Sequence, residues 1–290
     1  MKLWGGRFAK STAPELEQLG KSIEFDKRLA LEDIRVNRAY VRELNRVGIV
    51  DEEELALISK GLDSVEDRLR NEIDLDDEDI HTAVERLLGE VVEHHVSGKL
   101  PTGRSRNDLT ATDLRLYLAS AIDKCVSLLH ALQKSLLAKA IEHVDVVMPG
   151  YTHLRRGQPV VFAQYLLAYF WALDRDRERL GETKVRTLGL ALGCGALAGN
   201  PFGVNRRRLA EDLGFNHVLP NSIDGVSSRD YLIEYLSVGA MIGVNLSRIA
   251  EDLILWSGAE FGFIAIDESY STGSSLMPQK RNPDSLELVR

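Results

Sequence analysis

Three short stretches gather residue types that could grip an anion and move a proton. The first, TGRSRND from Thr102 to Asp108, sets Arg104, Arg106 and Asn107 at the start of a long helical pattern. Guanidinium forks match carboxylates, and helix amino ends carry unpaired amides with partial positive charge. Taken alone, the stretch reads equally well as a helix cap with solvated arginines. The second, MPGYTHLRRGQP, places His153 beside Thr152 in a turn bounded by Pro149 and Pro159. Histidine is the side chain best matched to proton transfer near neutrality. The third, STGSSLMPQKRNPDSLELVR, follows Gly273-Ser274-Ser275 with Lys280, Arg281 and Asn282. Its small residues allow the loop to move or its amides to approach a ligand. Lys280 and Asn282 lie close enough to touch one bound group, and Pro283 opens a helix with Glu287 on its early turns. A plain hinge before a helix is the alternative. Together the three stretches suit a small polycarboxylate and proton-transfer chemistry.

The bulk properties narrow the classes. The chain has 290 residues, 44% of them hydrophobic and 28% charged, the balance of a globular protein with a sizeable core. A net charge of -8 argues against nucleic acid as a partner, so anion binding must come from local cations and amides. Cys125 and Cys194 form neither a disulfide framework nor a metal pattern. His94-His95 lacks further ligands at zinc spacing, and the histidines other than His153 read as structural. The amino end has no secretory apolar stretch, and the apolar run Pro159 to Leu173 falls short of a membrane span of about 20 residues. A reducing cytoplasm is the expectation.

Helical periodicity must position these stretches. One helix is predicted to reach about Val47 and stop at Gly48, burying Leu31, Ile34, Ala39 and Val41. A second follows Asp51, with Glu54 completing a capping box. LDDEDIHTAVERLLGEVVEHH gives a shorter helix. After position 105, Leu114, Leu118, Ala121, Cys125, Leu128 and Leu132 form a seam suited to a bundle. Further long helices are predicted from near Pro159 and after Ser227, the latter capped by Ser227 itself. No alternating strand pattern stands out, so the class is all-α. The expected division is an amino-terminal helical domain over 1–105 and a helical bundle over 106–290. The Gly193-x-Gly195 segment lacks the preceding strand and parallel sheet of a dinucleotide loop, and reads as a crossover between close helices. No nucleotide, flavin or metal cofactor is expected.

TGRSRND, MPGYTH and GSSLMPQKRNPDSLE resemble the three signature regions of argininosuccinate lyases, within the fumarase/aspartase superfamily. KLWGGRF near the start and EDIHTAVERL extend the likeness along the chain. Fumarases and aspartases generally have GKVNP where QKRNP stands here, and adenylosuccinate lyases lack the TGRSRND wording. The resemblance implies a cofactor-free, reversible β-elimination of argininosuccinate to fumarate and arginine, a step of arginine biosynthesis and the urea cycle. It implies that Ser274, Lys280 and Asn282 belong to a loop that closes over substrate. It further implies that Ser22, Arg106, Asn107, Thr152 and Arg229 contact substrate and that Glu287 pairs with His153. The identity of the base stays open: residue chemistry favours His153, whereas the resemblance favours Ser274 activated by loop amides and Lys280.

Some positions depart from the family wording. Leu109 and Thr110 stand where Gln and Val are common, Pro101 where histidine is usual, and Val84, Leu87 and Ser228 replace polar or acidic residues. The resemblance also implies homotetramers whose sites draw on three subunits, with further bundle helices and a small carboxyl-terminal domain beyond residue 290. These 290 residues alone are therefore expected to show little turnover and to associate through uncovered bundle surface. Two rival expectations stand beside the lyase: a non-catalytic relative of the crystallin kind, and the same chemistry on another succinyl adduct.

Overall fold

The computed structural model describes residues 12–71 and 75–290. Most of them are helical, with three two-stranded pairings among the described residues. The chain divides into two compact units that interleave along the sequence, Met1–Ala121 with Lys184–Arg229 and Ile122–Thr183 with Asp230–Arg290.

The first unit is built on α1 (Ala30–Arg46), α2 (Glu52–Arg70), α3 (Ile80–Val91) and the opening of α4 (Arg106–Glu142). Tyr40, Leu44, Ile58, Leu62, Leu87 and Leu88 are buried together with Leu190, Leu192, Leu209 and Phe215 from the later segment. Each such side chain contributes about 1.5–3 kcal/mol of transfer free energy. Local signals set the helix ends. The Asp51 carboxylate accepts from the Glu54 amide at 2.8 Å while Glu54 accepts from the Asp51 amide at 3.1 Å, the expected capping box. Gly48 follows α1 at φ 77°, a left-handed conformation that a β-carbon disfavours. Ile34, Ala39 and Val41 are buried as predicted, but Leu31 stays exposed.

The second unit contains the rest of α4, the strands β1 (Val147–Thr152) and β2 (Arg155–Val161), the helix α5 (Phe162–Thr187) up to Thr183, and the helix α6 (Asp230–Ser257). From α4 it buries Ile122, Leu129, Gln133 and Leu136; from α5, Leu166, Tyr169 and Leu173; from α6, Val238, Ile249 and Trp256. Gln133 is satisfied by the Phe170 carbonyl and by Arg177. Trp256 meets Tyr165 edge-on with ring centroids 4.6 Å apart. Of the predicted α4 seam only Leu118 is fully buried, and Leu128 is 62% exposed. Apolar residues occupy more than one face of α4, and periodicity does not tell which face this chain covers.

Three expectations are corrected. Residues 147–161 form an antiparallel hairpin, so α5 starts at Phe162 and Pro159 lies in β2, paired with Pro149. The alternation is hidden because only Met148 of β1 is buried, and Gly150 and Gly157 join the prolines in interrupting the strands. A two-stranded hairpin consists entirely of edges, where proline is tolerated. Ser227 does not cap α6: it ends a short helix, Ser222–Ser227, and donates to the Ile223 carbonyl. The first predicted helix is also divided, with Ile23–Asp26 and a 3-10 turn preceding α1. No helix among the described residues is long and apolar enough to cross a membrane.

Candidate active site

His153 and Leu154 form the two-residue loop between β1 and β2, flanked by the paired Thr152 and Arg155. Their φ angles are 55° and 56°. Two successive positive φ values define the primed hairpin turn that normally selects Asn-Gly, because other L-residues lose about 1–2 kcal/mol each in this conformation. The fold sustains the strain with a paired hairpin anchored by Tyr151, whose ring lies 5.5 Å from Phe261 and 6.3 Å from Phe263. Thr152 and His153 are therefore presented at an exposed tip. Local strain of this kind concentrates where geometry serves function.

The closing stretch is also a hairpin. Thr272 pairs with Asn282 and Gly273 with Arg281, so Ser274 and Lys280 directly follow and precede the neck of one loop. The Ser274 hydroxyl accepts from the Met277 amide at 3.2 Å, and the Lys280 amide donates to the Met277 carbonyl at 3.0 Å. Thr272 donates to Asp284, Ser285 donates to the Tyr270 carbonyl at 2.8 Å, and Arg281 meets Glu268 at 2.7 Å. Ser274 and Asn282 are half-buried, while Lys280 is exposed. Glu287 lies in the helix Asp284–Val289, exposed and without a hydrogen bond or ion pair to His153 within this chain.

The remaining candidates belong to the first unit. Ser22 donates to Asp26 at 2.6 Å beside a cavity of about 400 Å³ that Asp79, His81 and Thr110 also line. Arg106 binds Asp79 and donates to the Thr82 hydroxyl at 3.1 Å. Burial opposes ionisation of Asp79, but the Thr82 amide and the Arg106 charge outweigh it and hold the carboxyl below its ordinary range. Asn107 is exposed and donates to the Ala196 carbonyl at 3.1 Å. Arg104 turns inward to Asn37 at 2.7 Å and lies over the Tyr40 ring, 5.1 Å from its centroid. Burial pushes the Tyr40 hydroxyl up to about 12. Arg229 is exposed and bonds the Val226 and Ser228 carbonyls. The KLWGGRF stretch lies outside the described residues.

Sequence reasoning missed a polar cluster behind this half. His81 Nδ1 lies 2.6 Å from Asp33 and 3.5 Å from Asp113, and its Nε2 lies 3.0 Å from the Thr110 hydroxyl. Asp33, His81 and Asp113 hold ligand-type atoms within 4.8 Å of one another and are the group that could take a metal ion among the described residues. The short Asp33–His81 contact has the geometry of a carboxylate–imidazole hydrogen bond. Complete burial, then the neighbouring Asp33 charge, drives Asp113 well above the ordinary carboxylate range. A sequence signal existed: acidic residues at 33 and 113 fall inside helical patterns at positions facing the apolar stripe.

A family model described as Lyase matches residues 6–290. The chain is 53% identical to the argininosuccinate lyase of Roseiflexus sp. (strain RS-1), over 99% of this chain and 64% of that protein. The chain thus spans less than two-thirds of the length of that curated relative. A solved EDDS lyase in complex with formate is similar at a TM-score of 0.85 and 32% identity, covering 97% of this chain and 56% of that one. A class II fumarase from Schistosoma mansoni reaches 0.75 at 17% identity, over 91% of this chain and 64% of that one, a likeness of fold alone. With the family model matched almost end to end and the helical scaffold shared, the chain belongs to the Lyase family.

Proposed function

We propose that this chain carries a major part of an argininosuccinate lyase, which splits argininosuccinate reversibly into fumarate and arginine by β-elimination. The observation that carries the reading is the 53% identity to an argininosuccinate lyase along 99% of the chain. In the proposed reaction a base removes the proton next to a carboxylate. Charge builds on that carboxylate as an aci-acid, and an acid protonates the departing guanidine nitrogen. Donors fixed in advance stabilise such charge best.

Ser274 is the proposed base and His153 the proposed proton-transfer partner. Supporting this, Ser274 and Lys280 stand at the two ends of one short loop, and the Ser274 hydroxyl already accepts from the Met277 amide within it. An ordinary serine hydroxyl is too weakly acidic to act unaided, and a nearby cation with amide donors lowers the free energy of its alkoxide. Glu287 is proposed to orient His153 from another subunit, in keeping with the lack of such a pair within one chain. Ser22, Arg106, Asn107, Thr152, Asn282 and Arg229 are the proposed substrate contacts, with Arg106 held by Asp79. The parent protein is proposed to be a cytoplasmic homotetramer that adds further bundle helices to the domains over 1–105 and 106–290.

Fumarate release, followed by its ultraviolet absorbance, tests the reading. With the full-length parent, argininosuccinate should yield fumarate, and adenylosuccinate and aspartate should not. Ser274→Ala and His153→Asn should each abolish turnover while the helical circular dichroism persists. Exchange of deuterium at the abstracted position should stop in Ser274→Ala; washout at the unaltered rate would remove Ser274 as the base.

A further inference from the structure

The glycine-rich segment after α5 has no part in the proton-transfer scheme, yet it is tied to the amino end of α4 within the first unit. Asp108 makes the central link. One carboxylate oxygen accepts from the Ser105 amide at 2.9 Å, while the Ser105 hydroxyl accepts from the Asn107 amide at 3.3 Å. Together these bonds cap the first turn of α4. The other oxygen accepts from the amides of Gly193 and Gly195, both at 2.9 Å. Those glycines have φ values of 85° and 62°, and a β-carbon on Gly195 would come within 2.5 Å of the Gly199 carbonyl oxygen. Two further links flank the carboxylate. Asn107 Nδ2 donates to the Ala196 carbonyl at 3.1 Å, and Asn200 Nδ2 donates to the Gly103 carbonyl at 2.8 Å.

A helix cap alone does not require this arrangement. The carboxylate that caps α2, Asp51, does so from an exposed position, whereas Asp108 is fully buried and must be desolvated. Burial raises its carboxyl, against the pull of the three amides. The extra oxygen serves the glycine segment, and the glycine segment reaches Asn107. We infer that Asp108 is a positioning residue that, through the Gly193–Gly195 amides and the Ala196 carbonyl, fixes the rotamer and sense of the Asn107 carboxamide. One Asn107 N–H is committed to Ala196, which leaves Oδ1 and the second N–H to meet a ligand as an acceptor beside a donor. This deepens the proposed function, since it rests on Asn107 as a substrate contact.

The test combines a readout of the link with a readout of its consequence. In Asp108→Asn the three amide donors face a neutral, half-donor group. Exchange of the Gly193 and Gly195 amides should accelerate at least about tenfold, and the Asn107 side-chain amide resonances should move toward free-asparagine positions while α4 stays helical. Asn200→Ala, which loosens the segment without touching Asp108, should shift the same resonances to a smaller degree and stands in if Asp108→Asn does not fold. In steady-state fumarate release by the full-length parent, Asp108→Asn should raise KM about tenfold or more with a smaller change in kcat. Adding Asp108→Asn to Asn107→Ala should then cost nothing further, because a residue acting through Asn107 has no effect once it is gone. Unchanged glycine exchange or unmoved Asn107 resonances overturn the link. Additive effects in the double variant overturn the positioning role and leave the lyase reading standing. Absence of fumarate release in the full-length wild-type parent overturns the lyase reading, while the resonances still decide the link.

Discussion

Replacing Leu154 by glycine should tighten the hairpin that carries His153. Leu154 has φ 56° and is 75% exposed, so its side chain contributes little burial while its backbone sits where L-residues are disfavoured. The left-handed conformation costs about 1–2 kcal/mol, and glycine forfeits about 0.5–1 kcal/mol of that gain through the extra freedom of its unfolded chain. Taken at their midpoints, these leave a net stabilisation of about 0.7 kcal/mol, local to β1 and β2. It corresponds to a two- to fivefold slowing of exchange at the cross-strand amides, with RT at about 0.6 kcal/mol. Amide hydrogen exchange resolved by residue is the assay, because a global melt would dilute so local a change. Faster or unchanged exchange at Thr152, Arg155 and their neighbours would refute the claim that this turn stores backbone strain. His153 itself keeps its positive φ in the variant, so the result isolates the contribution of position 154.

Other perturbations have equally definite signs. Asp51→Ala removes half of the α2 capping box and should destabilise the first unit by about 1 kcal/mol, visible as faster exchange in the first turn of α2. Gly181→Ala lies on an open face of α5 with nothing within 4 Å, and should stabilise by about 1 kcal/mol in thermal unfolding. Gly61→Ala should do the opposite: its β-carbon would meet Val92 at 2.5 Å and Leu88 at 2.7 Å, and overpacking of about 1–3 kcal/mol outweighs the helical gain. Asp113 holds a proton in the native state that the unfolded chain releases at an ordinary carboxylate pKa. Its native pKa is raised, so stability declines as pH climbs from that ordinary value toward the raised one. Asp113→Asn should flatten the decline and gain on wild type in melting temperature as pH rises above the ordinary carboxylate range. An unchanged slope would mean that Asp113 is ionised throughout.

Features written in neighbouring residues were legible in the sequence. The Asp51–Glu54 box, the stop at Gly48 and the start of α4 just after Ser105 follow from local chemistry, and all occur as expected. The loop bearing Ser274, Lys280 and Asn282 was legible for the same reason. The hairpin at 147–161 was not, because its pairing is a relation between two strands and its own residues, rich in proline and glycine, conceal the alternation. The partners of the first-unit candidates were likewise hidden. Asp79 caps α3 through the Thr82 amide, and only the fold turns its other oxygen to Arg106. Asp108 reaches glycines 85 and 87 positions away, and no spacing rule foretells such a bond.

The interleaving of the units bears on how the protein is made. The first unit is not complete when residue 121 leaves the ribosome, because Leu190, Leu192, Leu209 and Phe215 have still to join its core. At 5–20 residues per second, synthesis of 122–183 imposes a wait of roughly 3 to 12 seconds. Through that interval the early helices hold an apolar gap open to water, a window in which nascent chains would meet chaperones or one another.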